Sequence, residues 1–424
     1  MNANNTHKYT KIDILPKDWK RFRLGDIVSI NATKINPEIS NSCPCIELEH
    51  LSQDTGQILG FVESSNQKSI KNSFQKGQIL FGKLRPYLRK FWRAEFDGVC
   101  SSEIWVMSGK KVSNNFLFYL IQTQKFIQIA NVSVGTKMPR ADWYYMQEIP
   151  FFIPPLAEQE KIAQILGVWD KGISVLKSLI EAKTKRKKAL MQRLLTPPCE
   201  SLMPSLRASE TSAAIHNKSV DCHDLTASNL AMTEKNSKAK QSLRFAEFTD
   251  KWQEMRLGDI CEIYQPQTIP QSDFTKEGYN VYGANGLIGK YHSYNHEKEQ
   301  IAIACRGNSC GAVNFTNPKS WITGNAMVIN LDNSKNADKI FVYYVLLNSN
   351  LNYLVTGSGQ PQITSNIKNH SIKLPTLAEQ KKIAQVLSAC DKEIELLKSK
   401  FQCLKTQKKG LMQRLLNGKV RVKI

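Results

Sequence analysis

A forty-residue segment that occurs twice constrains this chain more than anything else in it. Residues 156–195 read LAEQEKIAQILGVWDKGISVLKSLIEAKTKRKKALMQRLL and residues 377–416 read LAEQKKIAQVLSACDKEIELLKSKFQCLKTQKKGLMQRLL. They agree at 23 of 40 positions without a gap, at a constant offset of 221 (377 − 156). Neither copy contains proline, and apolar residues recur at spacings of three and four, which predicts helix. A helix of forty residues is about 60 Å long, against a usual length of about 11–12 residues. The spacing is that of a coiled-coil seam. In the first copy the seam is Leu166, Trp169, Ile173, Leu176, Ile180, Lys183, Lys187, Leu190 and Leu194. In the second it is Leu387, Cys390, Ile394, Leu397, Phe401, Leu404, Lys408, Leu411 and Leu415. Lys187 and Lys408 hold the same seam position, which predicts solvent or an acidic partner there. Two such helices cannot bury their seams alone and are expected to pack on each other.

The repeat extends upstream. Trp19–Ile30 (WKRFRLGDIVSI) has a counterpart in Trp252–Ile263 (WQEMRLGDICEI) at an offset of 233, so the intervening globule is 12 residues longer in the first copy (233 − 221). Between opening and helix lie β-branched and aromatic runs broken by Gly, Asn, Asp and Pro, which predict short strands and turns. Apolar helices follow at NNFLFYLIQTQKFIQ and KIFVYYVLLNSNLNYLV. Then come matched loops, Gly135-Thr-Lys-Met-Pro-Arg140 and Gly357-Ser-Gly-Gln-Pro-Gln362, and proline just ahead of each long helix. The expected domains are 1–155, a first spacer helix 156–196, a polar tether 197–241, a second globule 242–376, a second spacer helix 377–418 and a basic tail 419–424. The tether composition, rich in Ser, Thr, Asn and Lys, is that of a flexible linker.

A formal net charge of +21 over 424 residues favours a polyanionic partner, nucleic acid first. A membrane surface is the competing partner, but no stretch approaches 18 consecutive apolar residues and the N-terminus lacks a signal-peptide core, so a cytoplasmic protein is expected. Ten scattered cysteines are then reduced thiols. Cys43-Pro-Cys45 and Cys305-x4-Cys310 lack zinc-site spacing, and His292 and His296 have no third ligand nearby, so no metal is expected. Phosphate-loop, dinucleotide-binding, amino-methyltransferase, nucleophile-elbow and zinc-protease motifs are all missing. A binding protein without catalytic residues or cofactor follows.

Lys83, Arg85, Arg89, Lys90 and Arg93 interleave with Phe81, Tyr87, Phe91 and Trp92. Arginine forks onto guanine edges, Asn and Gln onto adenine edges; Lys, Ser and backbone N–H groups suit phosphates. The candidate DNA-contacting residues are therefore Lys83, Arg85, Arg89, Lys90, Lys137 and Arg140 in the first globule. In the second they are Arg306, Asn308, Ser309, Gln360 and Gln362. For 81–93 the competing reading is an edge strand with solvated charges. The run Lys183–Lys188 reads more simply as a solvated helix face.

PPLAEQEKIAQIL and PTLAEQKKIAQVL, the paired LMQRLL endings, the paired RLGDI openings and LRFAEFTDKW at 243–252 together resemble the specificity (S) subunit of type I restriction–modification systems, over nearly the whole chain. The resemblance implies an α+β architecture: two mixed α/β target-recognition domains separated by two long helices forming an antiparallel coiled coil, a pseudo-two-fold internal repeat. It implies partners: double-stranded DNA with a bipartite target, modification (methyltransferase) subunits expected in two copies, and restriction (translocase/endonuclease) subunits. The S subunit itself would do no chemistry. The stretch 197–241 is longer than the family's usual central connection. Since two globules reading different half-sites cannot be told apart by what they share, discrimination is expected from unshared residues such as Arg85, Arg89, Arg306 and Asn308. A stand-alone DNA methyltransferase or nuclease is the alternative, marked by S-adenosylmethionine binding to the isolated chain. A coiled-coil scaffold with incidental charge would show no sequence preference.

Overall fold

The computed structural model describes residues 16–30, 33–39, 41–132, 138–197, 242–357 and 359–423. Lys137, Ser358 and nearly all of the expected tether lie outside them. The chain divides into two compact units, residues 1–177 with 399–424 and residues 178–398. Each unit holds one globule, the N-terminal part of that globule's long helix and the C-terminal part of the other long helix.

In the first unit the opening strand Lys20–Arg23 pairs antiparallel with Pro150–Ile153, the segment that feeds the long helix Leu156–Leu194. Beginning and end of the globule are thus joined at the helix root. Gln253–Arg256 and Ser371–Leu374 make the same closure in the second unit, ahead of the helix Leu377–Leu416. Above the root stands a four-stranded antiparallel sheet, in the order Val28–Ser29, Ile104–Gly109, Ile79–Gly82, Phe91–Arg93. Its counterpart is Glu262–Tyr264, Ala326–Asn330, Ile301–Ala304, Val313–Phe315.

Strands Ile79–Gly82 and Ile301–Ala304 are buried on both faces because each face meets another layer. Ile79 and Phe81 pack on a helical layer that includes Phe116, Leu120 and Phe126. Leu80 points the other way, onto Ile46, Phe74 and Cys100 of a five-stranded sheet. In the second unit Ala302 and Val328 meet Tyr282 and Ile322 of a three-stranded sheet. The helical layers are capped: the Ser113 and Thr123 hydroxyls accept from Phe116 N and Phe126 N, and the Asp338 carboxylate from Phe341 N. The Thr123 cap divides the expected helix NNFLFYLIQTQKFIQ into Asn114–Leu120 and Gln124–Ala130.

Hydrogen bonding exposes a closer kinship between the globules than their sequences do. Ile104↔Gly82 and Leu80↔Trp92 in one register match Ala304↔Ala326 and Ala302↔Asn314 in the other, all at an offset of 222. Yet residues 78–93 and 300–315 share only the leading Gln-Ile. Since the openings match at 233, 11 of the 12 extra residues fall before Ile79 (233 − 222), where four strands of the five-stranded sheet lie.

The repeated Ala-Glu-Gln of the long helices also acquires a physical reason. Gln159 Oε1 accepts from Ser113 N at 2.9 Å and its amide donates to Pro154 O at 3.0 Å. Gln380 repeats this with Asp338 N (2.8 Å) and Pro375 O (2.9 Å). Each glutamine fastens its helix to the N-cap residue of the globule's own helix. Glu158 and Glu379 are fully buried, and each needs a cation. Glu158 accepts from Trp19 Nε1 (3.1 Å) and from Nε and Nη2 of Arg421 (2.8 and 2.9 Å); Glu379 accepts from Arg244 (2.9 and 2.8 Å). The basic tail 419–424 is therefore, at Arg421, a structural strap.

Within each unit the two helix segments run antiparallel. Lys408 meets Asp170 and Arg421 meets Glu158 in the first; Lys187 meets Asp391 and Lys183 meets Glu393 in the second. Leu415 and Met412 join Ile162 and Leu166 in one core, as Leu194 and Met191 join Ile383 and Leu387 in the other. Every seam residue is buried or half-buried. Between 171 and 187 the seam residues Ile173, Leu176, Ile180, Lys183 and Lys187 are the only ones not exposed, and so are Leu397, Phe401, Leu404 and Lys408 between 397 and 408.

Candidate nucleic-acid interface

The loop that leaves the central strand is residues 83–90 in the first globule and 305–312 in the second. Each loop is sewn to the Gly-x-x-x-Pro loop by the same ladder. Lys83 N donates to Glu103 O, Arg85 N to Pro139 O and Ala141 N to Lys83 O. Cys305 N donates to Asn325 O, Gly307 N to Pro361 O and Ile363 N to Cys305 O. Bridges Leu84↔Arg140 and Arg306↔Gln362 complete the match. The loops are therefore equivalent residue by residue, and in each globule the candidate basic and amide side chains lie on its own pair of loops. Prolines 139 and 361 supply the carbonyls and cannot donate, which leaves the ladder one-sided there.

The candidate side chains divide sharply by environment. Arg89 is turned inward, pairing with Asp54 at 2.7 Å and donating to Gln122 O at 2.7 Å. Lys90 donates to Leu48 O at 2.6 Å. Arg140 lies along Glu103 (3.0 and 3.4 Å) and is half exposed. These three hold the loop's shape. Arg85, Arg306, Asn308, Gln360 and Gln362 are exposed, and none of their side chains has a partner among the described residues; Lys83 and Ser309 are half-buried. The structure pairs Leu84 with Arg140 and Arg306 with Gln362, and sets Arg85 opposite Pro139.

Arg306 and Gln362 border a cleft of about 290 Å³ that also takes in Tyr264, Gln265, Thr364, Ser365 and Lys368. Gln265 and Lys368 were not singled out by the sequence, although both lie a few residues from repeated blocks. In the first globule Tyr87, Met138 and Tyr144 are exposed at 52%, 53% and 83%, flanking the same ladder. The rings of Tyr87 and Tyr144 are of the kind on which bases stack, and the Trp-Tyr-Tyr run after Arg140 was the available signal. Beneath the second loop Cys305 is fully buried and accepts from Gln265 Nε2; burial pushes its thiol up, as it pushes Cys45 up to about 11 and Cys261 to about 12. Thiols held protonated are poor nucleophiles. Among the described residues no group of three His, Cys, Asp or Glu side chains is placed to hold a metal ion, and no helix is long and apolar enough to cross a membrane.

The chain thus carries two equivalent exposed loops on duplicated globules, each globule rooted on a long helix. Residues 16–183 and 249–406 each match the type I restriction modification DNA specificity domain. The chain belongs to this family, and its part in such a system is specificity. Two specificity subunits of Methanocaldococcus jannaschii type I restriction enzymes are similar over their length: MjaVIII at 24% identity (96% of this chain, 94% of the relative) and the putative MjaX at 26% (98% and 97%). The S subunit of a type I system from M. genitalium has the same fold at 15% identity, with a TM-score of 0.58 and coverage of 100% and 99%. A chain of another type I R-M system, 18% identical, gives 0.56 over 96% and 99%.

Proposed function

We propose that this chain reads a DNA target in two short blocks, one per globule, for modification subunits that methylate adenine and restriction subunits that translocate and cut. The observation that carries the reading is the pair of matched ladders that present unmatched side chains. A shared frame with different exposed groups is what two half-site readers need. Among the candidates, Arg85, Arg306, Asn308, Gln360 and Gln362 are the base-facing set, with Lys83, Lys137 and Ser309 on phosphates, while Arg89, Lys90 and Arg140 shape the loop. The seam from Leu166 to Leu194 and from Leu387 to Leu415 joins the helices to each other. Their outer faces serve the modification subunits, two per complex, in the cytoplasm.

The test is co-expression with candidate modification subunits and long-read mapping of methylated adenines. One bipartite motif, with two specified blocks and an unspecified gap, is the expected outcome. A purified complex that methylates nothing, or methylates without sequence preference, overturns the reading; so does methylation by this chain alone.

A further inference from the structure

The ladder equivalence singles out one side chain, and the argument rests on the DNA-reading role just given. At an offset of 222, Arg85 superposes on Gly307 and Arg89 on Gly311. All four have left-handed backbone, with φ of 52° and 50° for the arginines and 79° and 90° for the glycines. Left-handed backbone is costly for a residue with Cβ and nearly free for glycine. The second globule uses the inexpensive residue at both positions. Space is not the selector, since a Cβ at Gly307 would meet nothing within 4 Å; the φ angle is.

Arg89 repays its strain with the Asp54 pair and the Gln122 hydrogen bond described above. Arg85 has no such compensation within the fold. Its side chain is exposed and unpartnered among the described residues, and its backbone N–H bond to Pro139 O is one that glycine makes equally well at 307. Pro86 behind it bars the right-handed helical region but does not demand the left-handed one. A strained residue that the fold does not use points to a ligand that does. The second globule carries its arginine one position earlier, at Arg306, where the first has Leu84.

We propose that Arg85 is a specificity-determining residue of the first half-site, its guanidinium reading a guanine edge, and that Arg306 does the same for the second from a position one residue upstream. The two loops thus read from a common frame with a one-residue difference in phase. Exposed arginine beside a one-sided ladder suits the two acceptors of guanine, which a point charge such as lysine cannot bridge.

Three variants in the full complex with modification subunits test this: Arg85→Gly, Arg85→Lys and the double change Leu84→Arg with Arg85→Gly. Each is scored by thermal melting, by binding to oligonucleotides substituted one base at a time, and by the methylated motif. Arg85→Gly is expected to melt at or above the wild-type temperature while losing about tenfold or more discrimination at one base of one block. Arg85→Lys should lose similar discrimination while retaining affinity for DNA at large, and the double variant should specify a guanine displaced from, or different from, the original. The other block stays intact throughout. Full discrimination in Arg85→Gly, or a uniform loss on every sequence, overturns the assignment; the second result would make Arg85 a phosphate contact. If wild-type complex shows no bipartite motif at all, it is the underlying half-site reading that has failed, whatever the variants do.

Discussion

The root of each globule and its exposed loop are built on the same repeat but use it differently. At the roots the side chains themselves repeat: glutamine on an N-cap residue, buried glutamate on arginine, tyrosine on aspartate. Tyr119 donates to Asp170 at 2.8 Å, and Lys408 from the other helix meets that carboxylate at 2.5 Å. Tyr344 donates to Asp391 at 2.7 Å, and Lys187 meets it at 2.5 Å. Each node ties a globule to both long helices of its unit. At the loops only backbone hydrogen bonds repeat, and nearly every side chain differs. Where groups are buried, desolvation forbids leaving a partner out, so the pairs persist together. Where groups are exposed, a backbone ladder suffices and the side chains are free to differ.

The largest effect that would sharpen this contrast comes from Arg244→Ala. Glu379 would be left buried without its cation, at a cost of about 3 kcal/mol or more to the second unit, read by denaturant unfolding. Arg421→Ala should cost the first unit less, since Arg421 is more exposed and Glu158 keeps Trp19 Nε1. Equal losses would break the argument that burial governs the roots. Next, double-mutant cycles across Lys187–Asp391 and Lys408–Asp170 should return similar couplings, about 0.5–1 kcal/mol, because the aspartates are partly exposed and screened. Couplings of opposite sign would mean that the nodes are not equivalent.

Acidification should separate the units by a smaller margin. Burial lowers the pKa of His296 and of His370, and both lie in the second unit. The folded state then resists a proton that the unfolded chain accepts, so stability falls as pH drops below the ordinary histidine value, about 6.5. Replacing both histidines with Gln should flatten this decline above pH 5 if their titration is the cause; an unchanged slope would put it elsewhere. The smallest effect belongs to the loops. Gly311→Ala should destabilise modestly through its φ of 90° alone, since a Cβ there meets only ordinary contacts at 3.7 Å and beyond. A collapse of the second globule on this change would show that the loop is packed rather than free.

Much of this was legible in the chain as written. The duplicated helices, their seam, the openings and the two Gly-x-x-x-Pro loops all stand out as identities. The loop equivalence did not, although Pro139 and Pro361 already sit 222 apart and that offset carried back to 85 and 307 would have shown arginine opposite glycine. It was hidden because central strands demand only apolar bulk, which Leu-Phe-Gly and Ala-Ile-Ala satisfy alike. Arg421 read as part of a basic tail because nothing local marks a distant buried carboxylate as its partner. Arg89, Lys90 and Arg140 stood among the candidate DNA contacts because their internal acceptors, Asp54, Leu48 O and Glu103, come from remote segments.

By itself, the sequence determined the repeat and the two long helices, since periodic apolar spacing and repeated blocks are local, countable properties; the class of protein came from the resemblance of those blocks to a known family. Only the tertiary structure decided which charges are free. Whether an arginine faces solvent or a carboxylate depends on which remote residues the fold delivers beside it, and no local pattern encodes that.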